Sequence, residues 1–255
     1  MTVKELHNRL TELYPKTLSC SWDNDGIMIS RDTDAEVKKV LVALDAAAEV
    51  VKYAAANGFD TVLTHHPMLF RGPKSVTPEV LTGRKILDAA IAGVSVISLH
   101  TRLDAGADGV NDQLCRTVGF EPTGCFGDDD APTLGRVAEI APMTADELAA
   151  LVKDKLGCDA VRVTGDMTRV VTKVGFCGGD GKDFVIPALI EGCDAYITGD
   201  AGYNMAQDAS EDGLVVIEVG HYHSEAPVCA RLAALAEEIA GAKAEIYDSC
   251  GYKIL

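Results

Sequence analysis

Short apolar runs alternate with longer amphipathic stretches along this chain. Runs such as Val40–Leu44 and Val94–Leu99 predict strands buried on both faces, as in a parallel sheet. Apolar residues three or four positions apart, as at Leu6 and Leu10, predict helices. The predicted strands are 40–44, 61–64, 94–99, 136–140, 160–163, 171–177, 195–198, 214–219 and 244–247, and the predicted helices are 46–57, 79–92, 106–118, 224–240 and two that begin at Thr2 and Thr144. This alternation predicts an α/β fold.

Local signals mark where some helices begin and end. Thr2 and Thr144 are each followed three residues later by a glutamate, the capping-box pattern that satisfies backbone N–H groups of the first turn. Gly58 and Gly157 follow two predicted helices and suit the left-handed residue that often ends a helix. The helix after Thr144 is therefore bounded at both ends by sequence alone.

The polar and glycine residues around the apolar runs repeat within the chain. Lys39, Val40, Gly58, Asp60 and Thr64 recur 134 positions later as Lys173, Val174, Gly192, Asp194 and Thr198. After the next strands, His100 and Asp104 recur 121 positions later as His221 and Glu225. Two matches in the same order predict an internal duplication. The alternative is that all parallel βα units share such marks.

The segment Gly124–Pro132 interrupts this pattern with glycine, aspartate and proline, and it is the predicted domain boundary. We expect residues 1–125 with 214–255 to form one α/β unit. Residues 126–213 are expected to form the second.

Charge and cysteine usage exclude several classes of protein. The 255 residues include 39 Asp and Glu against 23 Lys and Arg, a formal net charge of −16. General nucleic-acid binding and binding to an anionic membrane both need a basic surface, so neither is expected. The chain shows no long apolar span and no signal-peptide core, which predicts a cytoplasmic protein. The eight cysteines form no C-x-x-C motif and are predicted to be reduced and buried.

Histidines cluster directly after predicted strands. They are His65 and His66, His100, and His221 with His223. Ligands of parallel sheets bind beyond the carboxyl ends of the strands, so these positions indicate a site in the unit formed by 1–125 and 214–255. Imidazole and carboxylate ligands suit Zn, Fe, Mn, Co or Ni, and a carboxylate can bridge two such ions. Taken singly, a His-His pair is more often structural. We expect His223 to be exposed and not to bind metal.

Six segments of the chain resemble the NIF3-like family, whose members are also named GTP cyclohydrolase 1 type 2 homologues. They are Ser21–Ile27, Leu63–Pro67, Ser98–Asp104, Gly109–Asp112, Thr198–Asp200 and Gly220–Glu225. The resemblance spans residues 21–225 and matches the short form of the family, which lacks an inserted domain.

The resemblance implies two similar, interlocked α/β units, a centre of two divalent metal ions per chain and a homohexamer. The metal ligands it implies are His65, His66, Asp104, His221 and Glu225. His100 then lies in the pocket as a candidate catalytic base, although the repeat alone would make it a ligand.

This chain departs from the family pattern at two positions. Arg102 stands where Asn is usual, and Asn204 stands where His is usual, which removes one titratable group. Arg71, Lys74 and Arg102 are candidates for a cationic rim that binds substrate phosphates. The alternative is ordinary solvated surface charge.

Two functions are consistent with these residues. The first is a metal-dependent hydrolase that acts on GTP or a related nucleotide or phosphate compound, with His100 as base and Arg71 and Arg102 binding substrate. The second is a non-catalytic metal-binding or scaffold protein.

Two further features each allow two interpretations. Gly178–Gly181 is expected to be a tight turn rather than a phosphate-binding loop, and Trp22 is expected to anchor its loop in the core rather than to stack on a base.

Overall fold

The computed structural model describes residues 1–253, which form two compact units. The first unit contains residues 1–103 and 229–251, and the second contains 104–228 and the described residues after 251. The chain therefore leaves the first unit after residue 103, returns to it at residue 229 and leaves it again after residue 251. None of the helices within the described residues is long and apolar enough to cross a bilayer.

Helices and strands alternate through both units. The helices are α1 (Val3–Leu13), α2 (Ala48–Ala56), α3 (Leu81–Ala92), α4 (Thr101–Ala105), α5 (Val110–Val118), α6 (Ala145–Leu156), α7 (Val185–Ile190), α8 (Tyr203–Glu211), α9 (His221–Glu225) and α10 (Val228–Ala240), with 3-10 turns at Lys16–Leu18 and Lys182–Phe184. The strands are β1 (Gly26–Ile29), β2 (Lys39–Ala43), β3 (Thr61–Thr64), β4 (Ser95–Ser98), β5 (Gly124–Phe126), β6 (Gly135–Thr144), β7 (Arg162–Thr164), β8 (Val170–Asp180), β9 (Ala195–Asp200), β10 (Val215–Glu218) and β11 (Lys243–Ile246).

Every strand predicted from the sequence is present, and the fold is α/β as predicted. The capping boxes at Thr2 and Thr144 are both formed, and Gly157 ends α6 in the left-handed region at φ 66°. The missed elements are β1, β5, α4, α7, α8 and α9. Most are too short to show a period. The longer α8 buries only Ala206 and Ala209, so it has no large apolar stripe to detect.

The first unit is built on a five-stranded sheet in the order β1-β4-β3-β2-β11. Its four strands from β4 to β11 are parallel, and β1 is antiparallel at one edge. Leu41 and Val62 of the sheet pack with Val50 and Ala54 of α2 in a fully buried core. Every residue of β3 and β4 is buried, as expected for central strands of a parallel sheet.

The second unit is built on a six-stranded sheet in the order β5-β6-β8-β9-β10-β7. Strands β8, β9 and β10 are parallel, and the strands beyond them pair antiparallel. Leu148 and Val152 of α6 pack against Phe176 and Ile197 of the sheet. Because β10 pairs with both β9 and β7, residues 214–228 belong to this unit and not, as predicted, to the first.

The predicted repeat is visible in the strand register. Val40 lies opposite Thr61 in the first sheet, and Val174 lies opposite Ala195 in the second, 134 positions later in both strands. Asp60 and Asp194 make equivalent contacts in the two units, since each carboxylate accepts hydrogen bonds from two consecutive backbone N–H groups of a neighbouring segment. The donors are Lys38 and Lys39 for Asp60, and Thr172 and Lys173 for Asp194.

The offset of 121 positions that was predicted for the second match is wrong by one residue. Leu99 donates to the Thr64 carbonyl, and the equivalent bond runs from Val219 to Thr198. Leu99 and Val219 are 120 positions apart, not 121, so His100 corresponds to the glycine before His221. His100 and His221 are therefore not equivalent residues of the two units.

Cysteine placement agrees with the prediction for most positions. Six of the eight are buried, and all eight, each within the described residues, are free thiols. Cys125 is exposed and Cys250 is half-buried.

Candidate functional site

Three imidazoles meet at one edge of the first sheet. His65 and His66 follow β3, and His100 follows β4, the parallel neighbour of β3. Ring centroids are 4.8 Å apart for His65 and His66, 5.3 Å for His65 and His100, and 5.8 Å for His66 and His100. One nitrogen from each ring lies within 4.8 Å of those of the other two. This imidazole cluster has the spacing that a bound metal ion needs.

Each of these rings is bonded through Nδ1 to an oxygen atom of the first unit. The partners are the Leu99 carbonyl for His65 (3.0 Å), Asp45 for His66 (2.8 Å) and Asp23 for His100 (2.7 Å). Carbonyl and carboxylate oxygens accept, so each ring donates from Nδ1 and presents its lone pair on Nε2. Metal-binding histidines are usually oriented in this way.

Asp23 contacts the imidazole cluster, and the sequence did not indicate this. Its second carboxylate oxygen accepts from the Thr101 N–H (3.0 Å) and hydroxyl (2.6 Å), so it joins its own loop to the start of α4. Burial opposes its ionisation, but the bonds from His100 and Thr101 outweigh burial and lower the pKa of Asp23 to about 2. The carboxylate is therefore ionised and fixes the orientation of the His100 ring.

A second group of candidate ligands lies in the second unit. His221 and Glu225 are the first and last residues of α9, four positions apart, so they share one helix face. His221 Nε2 lies 3.3 Å from Glu225, and an oxygen of Asp104 lies within 4.8 Å of one of Glu225. Asp104 and Glu225 are both buried. Two ionised carboxylates this close repel each other, and a cation between them removes that repulsion.

Gly179 makes room for the Glu225 carboxylate. It lies in β8 at φ 67°, and a Cβ there would approach Glu225 Oε1 to 2.2 Å. Its N–H donates to the Ser224 hydroxyl at 2.9 Å, and that hydroxyl donates to the His221 carbonyl. The segment Gly178–Gly181 is thus mostly the end of a strand rather than a turn, and its glycine allows the close approach of a candidate ligand.

Arg102 lies in the interior of the first unit. Its side chain is 1% exposed, and its guanidinium pairs with Asp25 at 3.1 Å and donates to the Tyr14 carbonyl at 3.3 Å. Burial lowers the pKa of Arg102, and the Asp25 charge opposes that effect. These contacts favour a structural role and leave no exposed cation at this position. Arg71 and Lys74 are exposed, and no hydrogen bond or ion pair to them occurs among residues 1–253.

Trp22 is not buried in the core, contrary to the expectation. Its side chain is 58% exposed and packs edge-on against Phe70, itself 46% exposed, with the ring centroids 5.8 Å apart. Each ring lies 6.0 Å from the His100 ring. The Asn24 side chain donates to the Leu69 carbonyl and joins the two loops. An exposed aromatic pair therefore flanks the imidazole cluster.

Two other predicted positions are not among these candidate ligands. His223 is half-buried rather than exposed, and its Nδ1 lies 3.2 Å from the Tyr252 hydroxyl. It belongs to none of the candidate metal-binding groups among the described residues. Asn204 is an exposed residue of α8.

Comparison with known proteins identifies the family. The model of the Duf34/NIF3 (NGG1p interacting factor 3) family matches residues 1–250. The chain belongs to the NIF3 family. A "GTP cyclohydrolase 1 type 2 homolog" of Clostridium perfringens is 35% identical over 243 residues, which cover 93% of this chain and 92% of that protein. A "Protein NIF3 homolog" of Schizosaccharomyces pombe is 29% identical over 87% of this chain and 84% of that protein.

The NIF3 fold is also seen in a solved structure. The Staphylococcus aureus hypothetical protein SA1388 matches with a TM-score of 0.91 and 25% identity, over 100% of this chain and 99% of that one. This NIF3-family protein therefore carries the family fold, and the ligand atoms of its imidazole cluster lie close enough together to hold a metal ion.

The role of Arg102 can be tested by stability. We expect Arg102→Ala to lower the free energy of unfolding by about 3 kcal/mol, because it removes the buried charge partner of Asp25 and leaves only the exposed Lys16 paired with that buried carboxylate. Arg71→Ala is the matched control and should change it by less than ~0.5 kcal/mol. Urea unfolding followed by circular dichroism measures both. An Arg102→Ala variant that keeps full stability but loses GTP binding would instead establish the substrate-binding role.

The Asp23 interaction predicts a specific pH dependence. Because the folded-state pKa of Asp23 is about 2 against an ordinary value of 3.8, its contribution to stability is complete above about pH 4 and is lost as the pH falls towards 2. Asp23→Ala should cost roughly 2 kcal/mol at pH 6, and this difference should shrink as the pH falls from about 4 to 2. Asp212→Ala, which removes an exposed carboxylate, should show no such trend in urea unfolding. A constant Asp23→Ala difference across that range would contradict the assignment.

Proposed function

We propose that this protein is a cytoplasmic, dinuclear metal-dependent hydrolase that acts on GTP or a related nucleotide. The proposed metal ligands are His65, His66, Asp104, His221 and Glu225. The observation that carries the proposal is the imidazole cluster, in which three rings converge and each is held through Nδ1 by an oxygen acceptor. The paired buried carboxylates of Asp104 and Glu225 support it, since a divalent ion would compensate their charge.

The donor set fits several transition metals. Imidazole nitrogen and carboxylate oxygen suit Zn, Fe, Mn, Co or Ni, and the proposed set contains no thiolate of the kind that closed structural zinc sites use. When bound, two such ions supply a water molecule with a pKa lowered to about 7.

His100 is the proposed catalytic base. Its Nδ1 is held by the ionised carboxylate of Asp23, and its ring lies beside those of His65 and His66. A carboxylate on Nδ1 fixes the tautomer that accepts a proton at Nε2 and stabilises the imidazolium that results. This arrangement lets His100 take the proton of the attacking water while Asp23 keeps the ring in place.

The aromatic pair supports a nucleotide as the substrate. Trp22 and Phe70 expose apolar ring surface beside His100, and a purine base can stack on such side chains. Relatives of this chain are named GTP cyclohydrolase 1 type 2 homologs, which is consistent with a guanine nucleotide. Arg71 follows Phe70 directly and is the proposed exposed cation for substrate phosphates. The buried Arg102 is not part of this proposal.

The alternative is a metal-binding scaffold without catalysis. The family is named for an interacting factor, and a protein that stores metal or binds a partner would need the same ligands. We propose a homohexamer in either case. The mass of the protein in solution tests this oligomeric state directly. Turnover by the metal-loaded protein separates the two functions.

Metal content is the first test of the proposed ligands. Protein purified without chelators or a histidine tag should contain about two transition-metal ions per chain by mass spectrometry. Glu225→Ala should lose at least one of them, because it removes a buried carboxylate ligand. Glu211→Ala, on the exposed end of α8, is the control and should retain both. A wild type that contains no metal and takes up none on soaking would refute the proposed centre.

Catalysis is tested with His100→Ala in the metal-loaded protein. We expect GTP turnover to fall by about 10²- to 10⁴-fold while metal content stays unchanged, because a general base is lost and no ligand is removed. Trp22 is the only tryptophan, so GTP binding should quench its fluorescence in both proteins. Quenching without turnover in metal-loaded wild type would favour the scaffold function. Loss of metal in His100→Ala would make His100 a ligand.

A further inference from the structure

A cavity of about 660 Å³ opens in the first unit beside His66. It lies at the amino end of α2 and reaches the segment after β11. Its charged and polar lining consists of Asp45, Glu49, Lys52, His66, Lys85 and Ser249. The volume is sufficient for part of a nucleotide.

Two ammonium groups line this cavity without a salt bridge to a carboxylate, although the charge of Asp45 acts on Lys85. The half-buried Lys85 donates to the Ala46 carbonyl at 3.0 Å, which holds its Nζ at the cavity wall. Lys52 is exposed on α2. Among residues 1–253, neither ammonium forms a salt bridge. The chain has a net charge of −16. A cavity lined by two lysines without ion pairs therefore differs from the acidic chain as a whole.

The amino end of α2 adds further hydrogen-bond donors. The residue before its first turn is Ala47, whose methyl group cannot accept a hydrogen bond, and no side chain caps the helix. The first N–H groups of this nine-residue helix therefore carry partial positive charge without a capping acceptor. Ala46, Ala47 and Ala48 all line the cavity.

Ser249 is an independent sign of a polar ligand. It lines the same cavity and is only 8% exposed, and its hydroxyl has no hydrogen-bond partner within the described part of the chain. A buried hydroxyl left in this state costs free energy that a bound acceptor would recover.

The two acidic residues of the lining form no salt bridge with Lys52 or Lys85. Asp45 is bonded to His66 at 2.8 Å. Glu49 lies three positions before Lys52 on α2, yet no salt bridge forms between them. The carboxylates and ammonium groups of the lining thus balance formally, and the helix end makes the cavity favourable for an anion.

We propose that this cavity binds a phosphate group of the substrate, with Lys85, Lys52, Ser249 and the amino end of α2 as its donors. This inference rests on the proposed nucleotide hydrolase and extends it, because it assigns one phosphate group to the cavity beside His66, in addition to the phosphate contact proposed for Arg71. It also explains how so acidic a chain binds an anionic substrate.

The test uses metal-free protein, because phosphates also bind metal ions. Calorimetry with inorganic pyrophosphate should show binding to wild type, and Lys85→Met should weaken it at least about 10-fold, as loss of a charge-assisted bond predicts. Ser249→Ala should weaken it about threefold or more. Lys38→Met, which removes an exposed lysine paired with Glu36, is the matched control and should bind as wild type does. Lys52→Met gives a second variant on the exposed side, should Lys85→Met fail to fold.

Nucleotides separate a substrate phosphate from free phosphate. Guanosine 5′-monophosphate should lose affinity in Lys85→Met, whereas guanosine should bind both proteins equally. Wild type that binds no pyrophosphate, or variants at Lys85 and Lys52 that bind it as tightly as wild type, would overturn the inference. Pyrophosphate binding that depends on Lys85 while guanosine 5′-monophosphate binding does not would also overturn it, since the cavity would then hold free phosphate only. Metal content and turnover are measured separately, so a failure of the metal centre would not be mistaken for a failure of the cavity.

Discussion

The register of β3 on β4 is the constraint on which the imidazole cluster depends. These strands pair in parallel from Thr61 opposite Ser95 to Thr64 opposite Ser98, so both reach the edge of the sheet together. The next residues along the chain are His65, His66 and, after Leu99, His100. A slip of one residue would turn every side chain to the opposite face of the sheet and separate the three rings. The complete burial of both strands makes such a slip costly.

Oxygen acceptors around this edge complete the arrangement. The Leu99 carbonyl, Asp45 and Asp23 each hold one Nδ1, and Asp23 also binds the start of α4. The backbone thus positions the rings, and the acceptors fix which nitrogen each ring presents. In the second unit, Gly179 leaves space for the Glu225 carboxylate.

The positively charged side chains of this acidic chain differ in burial and pairing. Arg102 is enclosed beside Asp25 and supports the first unit from within. Lys85 and Lys52 instead line a cavity beside His66 without ion pairs. Sequence position did not distinguish them, because Arg102 lies two residues from a predicted ligand while Lys85 lies in an ordinary helix. Burial and pairing are properties of the packed chain, and they decide which positive charge is available to an anion.

The sequence by itself determined the α/β class, the predicted strands, the capped helices and the repeat marked by Asp60 and Asp194. These features depend on local periodicity and on hydrogen bonds between near neighbours, which residue spacing encodes. It also indicated that histidines directly follow β3 and β4, since the end of an apolar run predicts the end of a strand. Only the tertiary structure decided that β10 belongs to the second unit, that His100 and His221 are not equivalent, and that Asp23 and Asp45 orient the rings. It also decided that Trp22 is exposed and Arg102 enclosed. Those outcomes depend on strand pairing and packing between residues distant in sequence, where no local spacing carries the information.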